Sequence, residues 1–304
     1  MTLPRSATSS QPSDASLGSL YALLAYGSWG LLPIYWKFFG ATPAVEVLCH
    51  RMIWSAVFLG GILLVQRRWG DLRVLLKSPR QVLVLLTTAS LLSFNWGLYI
   101  YGVNSDRVVE ASLGYYINPL VTVLLGFVFL KERLLRGQLV AVALAVVGVG
   151  YFVWQLGTVP WIALALAVSF AFYGLLRKVV AVPPLAGLAM ETLLITPMAL
   201  VFIGRLTATG QGHFGSSGVT MLLFIGAGVV TSMPLLWFNK AAKQLKLATL
   251  GFFQYLAPSL SLLLGVFVYG EPFTWIHVVT FGCIWAALLL YSATALRVRG
   301  SVGG

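Results

Sequence analysis

Of 304 residues, 59% are hydrophobic and 9% charged, against about 45–50% and 25% in ordinary soluble domains. A water-soluble chain of this length has no interior large enough to hide so much apolar surface, so the composition selects a lipid solvent. The net charge of +12 raises nucleic acid as a partner, an option that the positions of the basic residues argue against below.

Residues 1–16 are polar and Ser/Pro-rich and are expected to form a disordered cytoplasmic tail. Apolar runs then recur at the length a bilayer core needs, about 20 residues. They fall at 17–38, 44–65, 81–102, 108–130, 137–155, 159–177, 185–204, 219–239, 247–269 and 274–295, with a short tail at 296–304. The first run is longer than a signal-peptide core and lacks a small-residue cleavage site, so it reads as a permanent span. The pattern predicts an all-α integral membrane protein of ten transmembrane helices.

Orientation follows from Lys and Arg, which favour cytoplasmic connections. Sixteen of the 20 lie in one set of connections and tails, including Arg67, Arg68, Arg73, Lys77 and Arg80, then Lys240, Lys243 and Lys246. Lys37, Arg107 and Arg205 occupy the opposite set, and Arg51 lies within a span. Both termini are therefore expected in the cytoplasm, and the basic residues act as membrane anchors rather than as a nucleic-acid surface. Trp36, Trp161 and Trp275 fall at outer boundaries and Trp69 and Trp237 at inner ones, where amphipathic rings favour the headgroup level. Trp29, Trp54, Trp96 and Trp285 sit deeper, with helix packing and substrate stacking as the two readings. Cys49 and Cys283 lie in apolar runs and read as small buried hydrophobes.

An internal repeat divides the chain. Pro119, Gly126 and Glu132 recur as Pro258, Gly265 and Glu271, each 139 residues later. Ala111-Ser112-Leu113-Gly114 recurs as Ala248-Thr249-Leu250-Gly251, and Gly30-Leu31-Leu32 as Gly174-Leu175-Leu176. Residues 17–155 and 159–295 thus form two five-helix repeats. Five is odd, so the second repeat enters the membrane from the opposite side and the pair becomes an inverted-topology repeat, a scaffold suited to alternating access. A proline inside a span frees a carbonyl that must find a partner or face a cavity. Pro119 and Pro258 occupy corresponding positions and point to a central cavity, with a packing kink as the alternative for either one.

Charges inside the spans are few: Glu46, His50 and Arg51 in the second, Glu110 at the start of the fourth and Glu191 in the seventh. Each needs a partner or water. Glu46 and His50 are four apart and can hydrogen-bond on one helical face. Arg51 and Glu191 each sit about 10 Å from a helix end, but from opposite ends, and need not touch. Glu191, or the Glu46–His50 pair, either locks helices together or takes up a proton or a substrate charge. Asn95, Asn118, Gln254 and Tyr255, with Trp96, Tyr115, Tyr116 and Phe253, supply the amides and aromatic rings of an amphipathic binding site. Glu132 and Glu271 read as caps that hold the turn into the next helix.

Three stretches together, Glu46-Val47-Leu48-Cys49-His50-Arg51-Met52-Ile53-Trp54-Ser55, Glu110 to Leu120 and Thr249 to Tyr255, resemble the RarD subfamily of the EamA-type transporters, within the drug/metabolite transporter superfamily. The resemblance covers about residues 17–295. It implies a bacterial inner-membrane protein, exporter-like, moving small organic molecules such as amino acid-like metabolites or drugs.

The leading expectation is a secondary or facilitative carrier in the lipid bilayer, driven by a proton or solute gradient, with no cofactor and no metal. No Walker phosphate loop is present. Three scattered histidines, His50, His213 and His277, and eight acids are a poor toolkit for the competing reading, a polytopic enzyme or lipid-modifying protein. A passive channel is the third reading. Substrate, direction, coupling and oligomeric state are not readable from the residues.

Overall fold

Hydrocarbon supplies no water to bond a peptide group, so a spanning segment must satisfy its own N–H and C=O groups, which an α-helix does. A computed structural model describes residues 14–131, 136–180, 182–244 and 253–302. Among these residues every regular element is helical. In chain order they are α1 (Asp14–Lys37), α2 (Ala44–Val65), α3 (Trp69–Leu76), α4 (Pro79–Asn104), α5 (Val108–Leu130), α6 (Arg136–Leu156), α7 (Trp161–Val179), α8 (Pro184–Ala208), α9 (Gly218–Gln244), α10 (Leu256–Leu263) and α11 (Trp275–Val302). Much of the expected N-terminal tail, Glu132, Lys246 and the motif Ala248 to Gly251 lie outside the described residues.

Eight of these helices are long and apolar enough to cross a bilayer, and two further apolar helices, Trp161–Arg177 and Leu256–Val268, are shorter. Large apolar side chains such as Val57, Phe94, Val147, Met198 and Leu289 are exposed, a surface that lipid covers.

Three details differ from the sequence expectation. The basic stretch after α2 is not a plain loop: it folds as α3, which buries Leu72 and Leu75 while Arg68 pairs with Asp71. This short amphipathic helix escapes a search for 20-residue apolar runs. α4 begins two residues earlier than expected, because Pro79 fills the first turn and the Ser78 hydroxyl accepts from the Gln81 N–H at 3.4 Å. The described part of the ninth run is α10 followed by a π-helical turn at Leu264–Val268. Prolines also lie inside α1 (Pro33), α8 (Pro197) and α9 (Pro234), so Pro119 and Pro258 are not alone.

Across the two halves of the chain, the most extensive pairings place α1 on α9 and α10, α2 on α8 and α9, α4 on α7 and α8, α5 on α7 and α10, and α6 on α11; within the first half, α2 also packs on α4, as extensively as α5 does on α10. Each cross-half pairing joins an element before residue 157 to one after residue 160. The cross-half set maps onto itself when α1, α2, α4, α5 and α6 are exchanged in order for α7 to α11.

Between helices in lipid, close approach relies on small residues. A Cβ added to Gly228 of α9 would lie 2.5 Å from the Trp54 carbonyl oxygen and 2.7 Å from the Ser55 nitrogen in α2. One at Gly114 of α5 would lie 2.7 Å from the Ala163 oxygen in α7. Both obstructions are backbone, which cannot rotate away. Gly228→Val is therefore expected to destabilise the α2–α9 contact by about 2 kcal/mol or more, whereas Gly174→Ala, which faces open space, should leave the melting temperature of the detergent-purified protein unchanged or slightly raised. Equal melting curves for Gly228→Val and the parent would refute the close-contact account.

Candidate functional site

Three polar constellations lie inside or at one end of the bundle. The first centres on Arg51. Its side chain is 3% exposed, and the guanidinium carbon stands 3.8 Å from the ring centroid of Trp96 in α4 and 5.1 Å from that of Trp36 in α1. Among the described residues no carboxylate pairs with it, and its Nε has no hydrogen-bond partner. A guanidinium stacks on indole faces more readily than an ammonium does, which accounts for an arginine at this depth. Trp36, next to the last residue of α1, is completely buried, its ring set against Tyr35 and Phe39 as well as the guanidinium.

Around this centre, Tyr99 and Tyr115 pack edge to face with ring centroids 5.5 Å apart. The Tyr115 hydroxyl donates to Asn95 Oδ1 at 3.3 Å, and Asn95 Nδ2 donates to the Leu166 carbonyl and the Ser169 hydroxyl, both at 2.9 Å. Asn118 Nδ2 donates to the Ala167 carbonyl at 3.0 Å. Two amides, from α4 and α5, therefore grip successive carbonyls of α7.

The second constellation surrounds Glu191, 2% exposed in α8. Its carboxylate accepts from the Thr88 hydroxyl at 2.7 Å and, more weakly, from the Tyr173 hydroxyl at 3.4 Å, with Arg177 Nη1 3.7 Å away. Arg51 and Glu191 thus have separate surroundings, in keeping with their positions along the helices.

The third lies at the end of the bundle that carries the α1–α2, α4–α5, α6–α7, α8–α9 and α10–α11 connections. Glu46 does not bond to His50. It accepts from the His213 N–H at 2.6 Å and meets His213 Nδ1 at 2.7 Å. His50 instead packs its ring against Phe214 and Phe224, with centroids 4.9 and 4.1 Å away. The helical spacing was correct, but the α8–α9 loop offers Glu46 a backbone donor and an imidazole at once. Glu271 caps a helix, though not the following one: it accepts from the Val108 and Val109 N–H groups at 2.6 and 2.7 Å. These are orphan donors of the first turn of α5, where the helix dipole also favours a negative charge. Burial pushes the Glu271 carboxyl up, against the pull of those two donors and of Lys37. Glu110 accepts from the Ile162 N–H at 3.0 Å while pairing with Arg107, and Lys37 pairs with Asp106. A cavity of about 170 Å³ opens here, lined in part by Arg107, Glu110, Phe152, Glu271, His277 and Phe281.

The residues beside the prolines do not share one wall. Tyr116 and Ser259 join their hydroxyls across α5 and α10, next to the buried Pro119 and Pro258. Phe253 packs instead with Tyr26, Trp29 and Phe238, Tyr255 with the cluster containing Tyr116 and Phe281, and Gln254 is half-buried in the turn between them. Thr88, Tyr99, Tyr173, Arg177 and Ser259 were not singled out in the sequence, and His213 was named only as one of three scattered histidines. Only Ser259, adjacent to Pro258, carried a local signal.

The EamA-like transporter family matches this chain twice, over residues 16–154 and 158–293. A Vibrio cholerae protein named as an uncharacterized transporter is 47% identical over 285 residues, 93% of this chain and 94% of that one. A Salmonella typhi protein named RarD is 46% identical over 283 residues, 93% and 96% of the two chains. A solved crystal structure, 20% identical, aligns with a TM-score of 0.58 over 90% of this chain and 96% of that one, which shows a shared fold. With apolar helices of spanning length throughout and a family match across both halves, the chain belongs to the EamA-like transporter family as a RarD-type, multi-pass inner-membrane transporter.

Proposed function

We propose that the chain is a secondary carrier that exports small organic solutes by alternating access of two five-helix modules, inverted relative to one another and enclosing a central path. The observation that carries this reading is the set of helix pairings between the halves, which is unchanged on exchanging the two halves. Two modules of five spans each give ten passages, oppositely inserted modules and both termini in the cytoplasm, consistent with the Lys/Arg distribution. Such modules can pack in two equivalent ways, opening the centre first to one side and then to the other.

On this topology the carboxylate contacts at the connection end lie on the outer side. Each crosses between modules: Glu46 to His213, Glu110 to Ile162, and Glu271 to Val108 and Val109. They act as outer latches, holding the periplasmic entrance shut and releasing when the modules rock. Glu191 is the candidate proton acceptor, since it is buried beside Thr88, Tyr173 and Arg177.

An alkaline phosphatase fused after Gly157 should be active and one fused at the C-terminus inactive. The same outcome at both sites would refute the five-plus-five arrangement. Purified protein in liposomes should show saturable flux with counterflow of a small organic solute, whereas strictly linear flux without counterflow would mean a channel. Flux that is pH-insensitive and identical in Glu191→Gln would remove proton coupling. In a background carrying Cys49→Ala and Cys283→Ala, Tyr116→Cys should react faster with an outside, membrane-impermeant thiol reagent when Glu271→Ala is added. An unchanged rate would discard the latch.

A further inference from the structure

Arg51 is a buried cation whose surroundings are built for something the chain itself does not provide. We propose that it is the docking group for a singly charged carboxylate on the transported solute, so that the substrates are small monocarboxylates with an apolar or aromatic body. This rests on the carrier reading and narrows it.

The argument starts from donors without acceptors. Arg51 is ionised at neutral pH and carries five N–H groups in a planar fork. Among the described residues its Nε has no partner, and neither has Nε1 of Trp36, the buried indole 5.1 Å from the guanidinium carbon. Ser55, one helical turn further along α2, holds a third buried and unpartnered polar atom. Buried polar groups are almost always satisfied, and an unpartnered N–H on a buried cation, beside an indole whose own N–H is also unpartnered, marks a place for an anionic acceptor.

Among the described residues, the carboxylates in the bundle and at its connection end are committed elsewhere. Glu46 is held by His213, Glu110 by Arg107 and Ile162, Glu191 by Thr88 and Tyr173, and Glu271 by α5. Trp96 lies 3.8 Å from the guanidinium carbon and covers one face, which directs an incoming oxyanion to the edge. The edge of a guanidinium matches the two oxygens of a carboxylate. A single positive charge balances one negative charge, so a monoanion fits better than a doubly charged phosphate. The Tyr99–Tyr115 pair and the two indoles supply the apolar wall for the rest of the molecule.

The experiment uses the full chain, purified in detergent, with phenylacetate and indole-3-acetate as probes and their amides as neutral counterparts. The acids should raise the melting temperature saturably and the amides should not, which needs no variant. Arg51→Gln should weaken the apparent affinity for the acids about 30-fold or more, and Arg51→Lys should recover only part of it. Acids and amides that stabilise equally, or acids that give no shift at all, would overturn the proposal. So would an Arg51→Gln protein that folds and binds the acids as the parent does. Inorganic phosphate that displaces the acids stoichiometrically would overturn the monoanion assignment. Liposome flux separates the two readings: saturable transport of neutral solutes with no effect of Arg51→Gln keeps the carrier and removes the anion site. Arginine-dependent binding of the acids without flux of any solute keeps the site and removes the carrier.

Discussion

Water is absent from the hydrocarbon core, and a polar group left without a partner there is costly. That constraint explains more of this molecule than any single contact does. It makes the described regular structure helical, and it confines most Lys and Arg residues to connections. It also requires an answer for every charge that does enter. The answers differ: Glu191 is met by two hydroxyls with Arg177 nearby, Glu271 by the open end of a helix, and Arg51 by indole faces, with its Nε unpartnered among the described residues.

Packing in lipid cannot draw on a hydrophobic driving force between helices, so contact rests on shape and on polar bonds between helices. The glycine at 228 lets α9 meet the backbone of α2, and the one at 114 does the same for α5 against α7. Between these contacts, Asn95 and Asn118 fasten α7 to α4 and α5. The strongest helix pairings run between the halves rather than within them. A carrier that rocks one module against the other would have to rearrange these pairings, and the carboxylate contacts at the connection end, which also join the halves, with them.

The family resemblance and the membrane spans could be read directly from the residues, because length and hydropathy are local properties and the motifs are contiguous. The misses were short or non-local. α3 is only eight residues long and amphipathic, below the length at which apolar runs stand out. Helical spacing suggested a bond from Glu46 to His50, but a loop 167 residues away offered better donors. Its position after a span marked Glu271 as a cap on the turn into the next helix, whereas the helix it serves is α5, more than 160 residues earlier.

What the sequence determined by itself was the solvent, the helical spans and the family, since these follow from composition, periodicity and motif. What only the tertiary structure decided was the partner of each intramembrane polar group. Partnership depends on which helices cross and at what depth, and no spacing along the chain encodes that. Arg51 illustrates the division: its isolation in an apolar run is visible in the sequence, while the two indoles that surround it come from α1 and α4 and meet it only in the folded bundle.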